Sequence, residues 1–316
     1  MNAAVVKTAV KRRLSAQQVK RLAVSLVRLV FLLGIAFIII QPFIVRFLSS
    51  MMSVDDVYDS MVQYVPREPS LANYAAVIRG TGYFEALLHT ALISVGYALA
   101  QVLMCTFVGY GLAKYQFRGR GIVTGLIIFS MILPPQTVFI SMYLNMRFFD
   151  PFLLFSLLGI PKLNLVDGPW AILLFSLTGF AFKNGLYIIL MRQLFKGVPE
   201  EIREAAEVDG AGQMRTYFQI MFPLARNMMV TIFLLAFSWQ WTDTFFSSLF
   251  FSDFKVLSNI LDLLNGVKID GLTAFGNFNT VLINTASMLV IAPLLLLFLV
   301  AQKRLVQGIE HSGLVG

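Results

Sequence analysis

Long apolar runs constrain this chain more than any other feature of its sequence. A bilayer core about 30 Å thick is crossed by a helix of about 20 predominantly apolar residues. Six runs reach that length, and they cover residues 22–45, 85–112, 122–143, 170–191, 228–251 and 280–301. Charged residues make up 13% of the chain, against about 25% in a typical soluble domain. The sequence therefore predicts an all-α membrane protein with six transmembrane helices.

The basic residues bracket these runs and predict the orientation of the chain. Cytoplasmic loops of membrane proteins carry an excess of Lys and Arg. Most of the basic residues lie in the N-terminal tail and in the segments after the second, fourth and sixth runs. They are Lys7, Lys11, Arg12, Arg13, Lys20, Arg21, Lys114, Arg118, Arg120, Arg192, Lys196, Arg203, Arg215, Arg226, Lys303 and Arg304. We therefore expect both termini in the cytoplasm. The net charge of +8 follows from this pattern, and lipid rather than nucleic acid is the expected partner.

Four segments are predicted along the chain. Residues 1–21 form a cytoplasmic tail, and residues 22–81 form the first transmembrane helix and an external connector. Residues 82–303 form a core with five transmembrane helices, and residues 304–316 form a second cytoplasmic tail. The first apolar run is as long as a full span and lacks a small-residue cleavage site, so we expect it to be retained in the mature protein.

Prolines and short segments modify this pattern. Pro134 and Pro135 in the third run remove backbone donors, so this helix is expected to break where it faces protein or water, as a packing kink or as a functional hinge. In the first external segment, Ser70 is expected to cap a short helix that ends near Ile78. The apolar segment 152–160 is too short to cross and is predicted to lie in the membrane interface.

The cytoplasmic loop between the fourth and fifth runs contains the acidic stretch PEEIREAAEVDGAG, residues 199–212. A proline at the start, glutamates in the first turn and Gly210 near the end predict a helix of about three turns. One interpretation is a solvated acidic loop. The other is a helix that docks into a concave basic partner through Glu204. Ala205 and Ala206 favour docking, because small side chains let another backbone approach closely.

This stretch carries a family resemblance. EAAEVDGA, followed by Ile220, Pro223 and Leu224, resembles the EAA loop of bacterial ABC importer permeases, which here covers residues 193–226. The wider chain, about residues 70–308, resembles the carbohydrate-uptake permeases of the maltose-transporter type through SLANYAAVI, ILPPQTVFISMY and FSWQWTDTFF. The resemblance implies a type I ABC importer transmembrane fold, in a multi-pass subunit of a bacterial inner (plasma) membrane.

The resemblance also implies the partners of the chain. They are a second permease subunit in a heterodimer, two ABC ATPase subunits, and an extracytoplasmic sugar-binding protein. Glu204 is implied to pair with an arginine of the ATPase, Ala205 and Ala206 to form the close-contact face, and Gly210 to reverse the chain. Asp209 shares the face of the alanines. The sequence has no Gly-x4-Gly-Lys-Ser/Thr phosphate loop, so ATP and magnesium are expected on the ATPase, no cofactor or metal is expected on this chain, and it is expected to be a transport subunit, not an enzyme.

Polar residues inside the apolar runs predict the translocation path. A charge at the bilayer centre costs about 2.5–3.5 kcal/mol on insertion scales, so Lys183 and Asp243 are expected to face protein or water. Either the two form an ion pair, which we prefer, or Lys183 lines a cavity for an anionic or hydroxyl-rich substrate. Trp239 either stacks on a sugar ring or anchors the helix at the interface. Asn184 and Gln240 complete the candidate set.

Two other functions compete with a permease subunit. A secondary, ion-coupled transporter often shows internally repeated halves, and we find no repeat in this sequence. An intramembrane enzyme needs a nucleophile with a base, or metal ligands. The chain has two histidines and one cysteine, Cys105, so we expect neither an intramolecular disulfide nor a multi-cysteine metal site. The sequence does not identify the sugar.

Overall fold

The computed structural model describes residues 16–181, 183–264, 267–269, 272–273 and 277–310. The basic residues predicted in the first tail, Lys7, Lys11, Arg12 and Arg13, lie outside the described residues. Residues 311–316 of the predicted C-terminal tail lie outside them as well.

The described chain is mostly helical, as predicted. Its α-helices are α1 (Ala16–Ser49), α2 (Val54–Tyr58), α3 (Ala72–Thr81), α4 (Tyr83–Lys114), α5 (Arg120–Ile132), α6 (Phe139–Arg147), α7 (Leu154–Leu157), α8 (Trp170–Thr178), α9 (Asn184–Gly197), α10 (Glu200–Val208), α11 (Gln213–Thr216), α12 (Phe222–Leu224), α13 (Arg226–Trp241), α14 (Phe245–Phe250), α15 (Ile260–Leu263) and α16 (Asn277–Glu310). Short 3₁₀ helices cover Pro135–Thr137, Pro151–Leu153 and Leu257–Asn259, and a π-helix covers Tyr217–Met221. Two short antiparallel strands, β1 (Lys268–Ile269) and β2 (Leu272–Thr273), pair with each other.

Three single helices are long and apolar enough to cross a membrane. They contain the segments Lys20–Ser49, Tyr83–Lys114 and Asn279–Gln302 of α1, α4 and α16. The segments Gln213–Leu224 and Arg226–Trp241 would together form a fourth span, but they are bent by 72° relative to each other. Helix length within the described residues therefore gives three spans, or up to four, and does not confirm the predicted count of six.

The third apolar run is interrupted where the sequence predicts it. α5 ends at Ile132, Pro134 is extended with φ −65° and ψ 130°, and α6 begins at Phe139. A proline lacks the backbone N–H that continues a helix, and it also disfavours helical geometry in the residue before it. The two adjacent prolines therefore account for the break.

The fourth and fifth runs are interrupted without a proline. α8 ends at Thr178, its C-cap Gly179 has φ 84°, and Lys183 has φ 75° immediately before α9. Glycine adopts this left-handed conformation freely, whereas it is uncommon in a lysine. In the fifth run, α13 ends at Trp241 and α14 begins at Phe245. Each of these two runs is thus a pair of shorter helices.

The central helix of the core is α4. It packs against α8, α9 and α13, and α13 packs in turn against α16. The contact between α4 and α9 is close, because a Cβ atom at Gly109 would lie 2.5 Å from the Cβ of Met191 and 3.0 Å from the backbone nitrogen of Arg192. The side chain of Cys105 is fully buried on the same helix.

The apolar part of α1 contributes nothing to this core, because none of its most apolar window is buried. Its C-terminal end is held by the start of the connector. The buried Asn73 amide on α3 donates hydrogen bonds to the carbonyls of Ser50 (2.9 Å) and Met52 (2.8 Å). α1 is therefore fixed at one end, and its apolar surface is open to lipid or to another subunit.

Of the two short helices predicted outside the apolar runs, α3 begins one residue later and ends three residues later than expected, and the second is much shorter than expected. The Ser70 hydroxyl accepts a hydrogen bond from the backbone nitrogen of Ala72 (3.1 Å), so it contacts the first turn of α3, although the N-cap position itself is Leu71. Within the segment 152–160, only α7 (Leu154–Leu157) is α-helical. Asp150 stabilises this turn by accepting a hydrogen bond from the backbone nitrogen of Phe155 (2.8 Å).

Candidate functional site: the acidic loop and the central cavity

The acidic stretch folds into the helix that its sequence predicts. α10 follows Pro199 directly and ends at Val208, with Asp209 as its C-cap. Gly210 has φ 79° and reverses the chain toward α11, a conformation that glycine adopts without strain. The local signals of proline, glutamate and glycine are therefore sufficient to place this helix.

The two central alanines of α10 face different surroundings. Ala206 is buried, with 5% of its surface exposed, and packs toward its own chain. Ala205 and its neighbour Glu204 are exposed, as are Asp209 and Gly210. The predicted close-contact surface thus has Ala205 on its open side and Ala206 on its anchored side. A second chain can reach Glu204 and Ala205 without any rearrangement of α10.

Basic residues of the same chain neutralise part of the acidic stretch. Lys114, the last residue of α4, forms an ion pair with Glu200 (3.0 Å). Arg203 pairs with both Glu200 and Glu207. The hydrogen bond from Lys114, followed by that from Arg203, lowers the pKa of the Glu200 carboxyl below its ordinary value. Glu204 belongs to none of these pairs and remains an exposed carboxylate on α10.

Aromatic packing joins the rest of the loop to α4. Tyr217, in the π-helix that follows α11, is buried and lies edge-on to Phe107 with ring centroids 5.6 Å apart. The ring of Tyr217 also lies 5.0 Å from that of Tyr110. Met221, one turn further, is fully buried. The loop is therefore packed onto the C-terminal part of α4 on one side, while Phe218 remains exposed on the other.

A cavity of about 200 Å³ lies among α4, α6, α8, α13 and α14. Its polar lining consists of Gln101, Gln240, Thr242, Asp243 and Thr244, and the remainder is mainly aromatic and aliphatic. The non-helical residues between α13 and α14 form part of this lining. Irregular backbone at membrane depth is tolerated where it is buried in protein or lines a cavity, which accounts for the breaks in the fourth and fifth runs.

The structure brings most of the predicted path residues together. Trp239, Gln240 and Asp243 line the cavity. The Lys183 ammonium lies 4.4 Å from the centroid of the Trp239 ring, at the same end of α9 as the break. Asn184 differs from the others, because it is fully buried and its amide donates to the carbonyl of Ser176 (3.4 Å) across the break.

The contacts of Lys183 and Asp243 differ from the ion pair that we preferred from the sequence. The Asp243 carboxylate accepts hydrogen bonds from the backbone nitrogen (2.9 Å) and the hydroxyl (3.3 Å) of Ser247. Lys183 lies over the face of Trp239, which attracts a cation through the ring quadrupole. The two charged side chains therefore have different partners.

Two functional candidates escaped the sequence reasoning. Gln101 lines the cavity from α4, and an amide inside an apolar run is a signal that could have revealed it. Lys114 contacts the first residue of α10. The sequence shows Lys114 only as one more basic residue after an apolar run, and a contact between residues so far apart has no local signal.

Comparison with known proteins gives the chain a family. Residues 105–311, more than half of the chain, match the family described as "Binding-protein-dependent transport system inner membrane component". The alpha-glucoside transport system permease protein AglG of Rhizobium meliloti (strain 1021) is 26% identical over 253 residues, which cover 79% of this chain and 62% of AglG. This chain thus spans less than two thirds of AglG. The sn-glycerol-3-phosphate transport system permease protein UgpE of Escherichia coli O1:K1 / APEC is 24% identical over 291 residues, which cover 89% of this chain and 94% of UgpE.

A solved structure shares the fold over nearly the whole chain. It is the crystal structure of a bacterial ABC transporter involved in the import of the acidic polysaccharide alginate, with a TM-score of 0.70 and 25% sequence identity. The similarity covers 89% of this chain and 96% of the other. The chain therefore has the fold of a subunit of an ABC importer. The chain belongs to the family of binding-protein-dependent transport system inner membrane components.

Proposed function

We propose that this chain is a permease subunit of an ATP-driven importer of carbohydrates or sugar derivatives in a bacterial cell membrane. Its family membership supports transport. The names of its relatives refer to alpha-glucosides, sn-glycerol-3-phosphate and alginate, which share a hydroxyl-rich chemistry. In this proposal the chain forms half of the translocation pathway and couples to ATPase subunits through the loop that contains α10.

The proposed topology has six crossings with both termini in the cytoplasm. The third and fourth runs would each cross as a pair of consecutive helices, α5 with α6 and α8 with α9, and the fifth as α13 with α14. The distribution of basic residues supports this orientation. It places Lys114 and α10 on the same, cytoplasmic side of the membrane, in agreement with their direct contact.

The proposed assembly contains a second permease subunit, two ABC ATPase subunits that bind ATP and magnesium, and an extracytoplasmic sugar-binding protein. Large apolar surfaces support a partner within the membrane. α5 has no buried residue, and α1 is exposed along its apolar window. A second permease subunit, with lipid around it, would cover these two helices.

The coupling role rests on one observation: α10 is anchored on one face and open on the other. Ala206 and Glu200 attach it to its own chain, whereas Glu204 and Ala205 are exposed. A partner that binds this open face moves α10, and α10 in turn moves α4 through its anchored face. A ligand shifts a conformational equilibrium by as much as its contacts differ between the two states, and the exposed carboxylate supplies such a contact.

Charge reversal at Glu204 tests this role. In a complex that still assembles, Glu204→Lys should abolish substrate uptake and uncouple ATP hydrolysis from it. Asp55→Lys is the matched control, because Asp55 is also exposed but belongs to α2 in the connector. Uptake and hydrolysis are measured in proteoliposomes with the purified complex and its binding protein. Undiminished uptake by Glu204→Lys would overturn the coupling assignment.

The cavity is the proposed route for substrate. An aromatic ring beside amides is suited to a sugar, because the ring packs on the apolar face of a pyranose while the amides bond its hydroxyls. Trp239 provides the ring, and Gln101 and Gln240 provide the amides. The side-chain nitrogen of Gln240 is buried and has no hydrogen-bond partner within the described residues, so it is available to a substrate hydroxyl.

A further inference from the structure

A nearly buried lysine attaches the acidic helix to the central helix. The side chain of Lys114, at the end of α4, is only 5% exposed. Its ammonium donates hydrogen bonds to the backbone carbonyl of Val198 (2.7 Å) and to the carboxylate of Glu200 (3.0 Å). These two acceptors lie on either side of Pro199, the N-cap of α10. One cation therefore holds both the chain that enters α10 and its first helical residue.

The burial of Lys114 distinguishes this contact from an ordinary surface ion pair. Lys255 and Glu85 are also close, at 2.9 Å, but their side chains are 44% and 54% exposed. Water screens such exposed pairs and leaves them weak. A buried ammonium loses its hydration and depends on the protein acceptors that replace water. Displacement of α10 away from Lys114 would leave this charge without those acceptors, so α10 and the end of α4 are constrained to move together.

The same contact extends along α10. Glu200 accepts from Lys114 and from Arg203, and Arg203 also pairs with Glu207. These residues lie three and four positions apart, which places their side chains side by side on one helix surface. The cation of α4 is thus connected to a row of charges that runs the length of α10.

The other half of the connection is α4 itself. This helix carries Gln101 in the cavity lining and Lys114 at its end without a break between them. At a rise of about 1.5 Å per residue, the two positions are about 20 Å apart along the helix. A continuous packed helix transmits a displacement over this distance, provided that both of its ends are attached to the elements that move.

We propose that Lys114 is a positioning residue that transmits the movement of α10 to the cavity through α4. The inference rests on the proposed function, because it assigns to one residue the connection between ATPase docking and the substrate route. Lys114 contacts neither nucleotide nor substrate in this role. Its effect is on the number of substrate molecules moved per ATP hydrolysed.

The test uses Lys114→Met, which removes the charge and keeps the length of the side chain. In the assembled complex in proteoliposomes, we expect uptake per ATP hydrolysed to fall at least about fivefold, the lower end of typical coupling between sites, while ATP hydrolysis continues. Lys114→Arg, which retains a cationic donor, should keep most of the coupling. Arg147→Gln is the matched control, because Arg147 lies in α6, outside this loop, and makes its contact within that helix, with the hydroxyl of Tyr143 (2.9 Å).

Backbone hydrogen exchange in α10 provides a second measurement in the same complexes. We expect faster exchange in α10 for Lys114→Met and a smaller increase for Glu200→Gln, which retains a neutral acceptor. Glu200→Gln also serves as the test variant if Lys114→Met fails to assemble. Faster exchange with an unchanged uptake-to-hydrolysis ratio would show a purely structural anchor and overturn the proposal, as would no change in either quantity. Absence of ATP-dependent uptake in the unmodified complex would instead overturn the proposed function, and the role of Lys114 with it.

Discussion

Substitution of Gly109 by alanine should separate the two helices at the centre of the core. A Cβ atom at this position would lie 2.5 Å from the Cβ of Met191, 3.0 Å from the nitrogen of Arg192 and 3.1 Å from the carbonyl carbon of Met191. Two of these three atoms belong to the backbone of α9, so no side-chain rotation relieves the overlap. Gly111, two residues further along α4, has no atom within 4 Å of a built Cβ and provides a matched control.

The structure sets opposite signs for the two substitutions. Overfilling a packed core costs about 1–3 kcal/mol, and backbone contacts place Gly109→Ala near the upper end. Alanine in a helix interior gains about 1 kcal/mol over glycine. The net result is roughly 2 kcal/mol of destabilisation for Gly109→Ala and about 1 kcal/mol of stabilisation for Gly111→Ala.

Cys105 reports this difference directly. It is the single cysteine of the chain, it is fully buried one turn from Gly109, and its thiol faces the carbonyl of Asn184 (3.7 Å) at the start of α9. A fluorescent maleimide therefore reacts with it when α4 and α9 separate. A difference of about 3 kcal/mol between the variants corresponds to a roughly 100-fold difference in labelling rate. Equal labelling rates for Gly109→Ala and Gly111→Ala would refute the close approach of the two helices.

Two further predictions concern the connector and the acidic helix. Asn73→Ala should destabilise the attachment of α1 by about 1–3 kcal/mol, because it removes the donor to the carbonyl of Met52 and leaves the carbonyl of Ser50 with only the Thr285 hydroxyl (3.2 Å) among its described donors. Limited proteolysis of the connector measures this, and the exposed Asn145→Ala should change nothing. The lowered pKa of Glu200 implies that its contribution to the anchoring of α10 is constant at neutral pH and is lost as pH falls below about 4.3, the ordinary glutamate value. Protection factors of the amides of α10, which correct for the intrinsic slowing of exchange in acid, should therefore fall below this pH, and the fall should be smaller in Glu200→Gln.

The position of α10 could be predicted because its signals are local. Pro199 and Gly210 mark its start and the turn beyond it within a few residues of sequence. The orientation of the helix about its own axis could not be predicted. Whether Ala205 or Ala206 is exposed depends on the anchor at Lys114, which lies 86 residues before Glu200 in the chain.

The breaks in the membrane helices also differ in whether the sequence predicts them. Two prolines predict the break after α5, and the structure shows the break at that position. The break before α9 depends on the left-handed conformation of Lys183, and that conformation is maintained by surrounding contacts that hydropathy does not report. Hydropathy also suggests a charged partner for Lys183, whereas the structure places it over the ring of Trp239. Charge alone does not determine which neighbour a membrane-embedded cation finds.

The π-helix over Tyr217–Met221 makes the rotation of α11 relative to α12 depend on the number of residues between them. A helical residue advances the chain by about 100° around the axis, and a π turn accommodates one residue that a regular α-helix would displace. Deletion of a single residue there would rotate α11 by more than a quarter of a revolution relative to α12, although Lys114 would still hold the start of α10. Length in this segment is therefore as constrained as sequence.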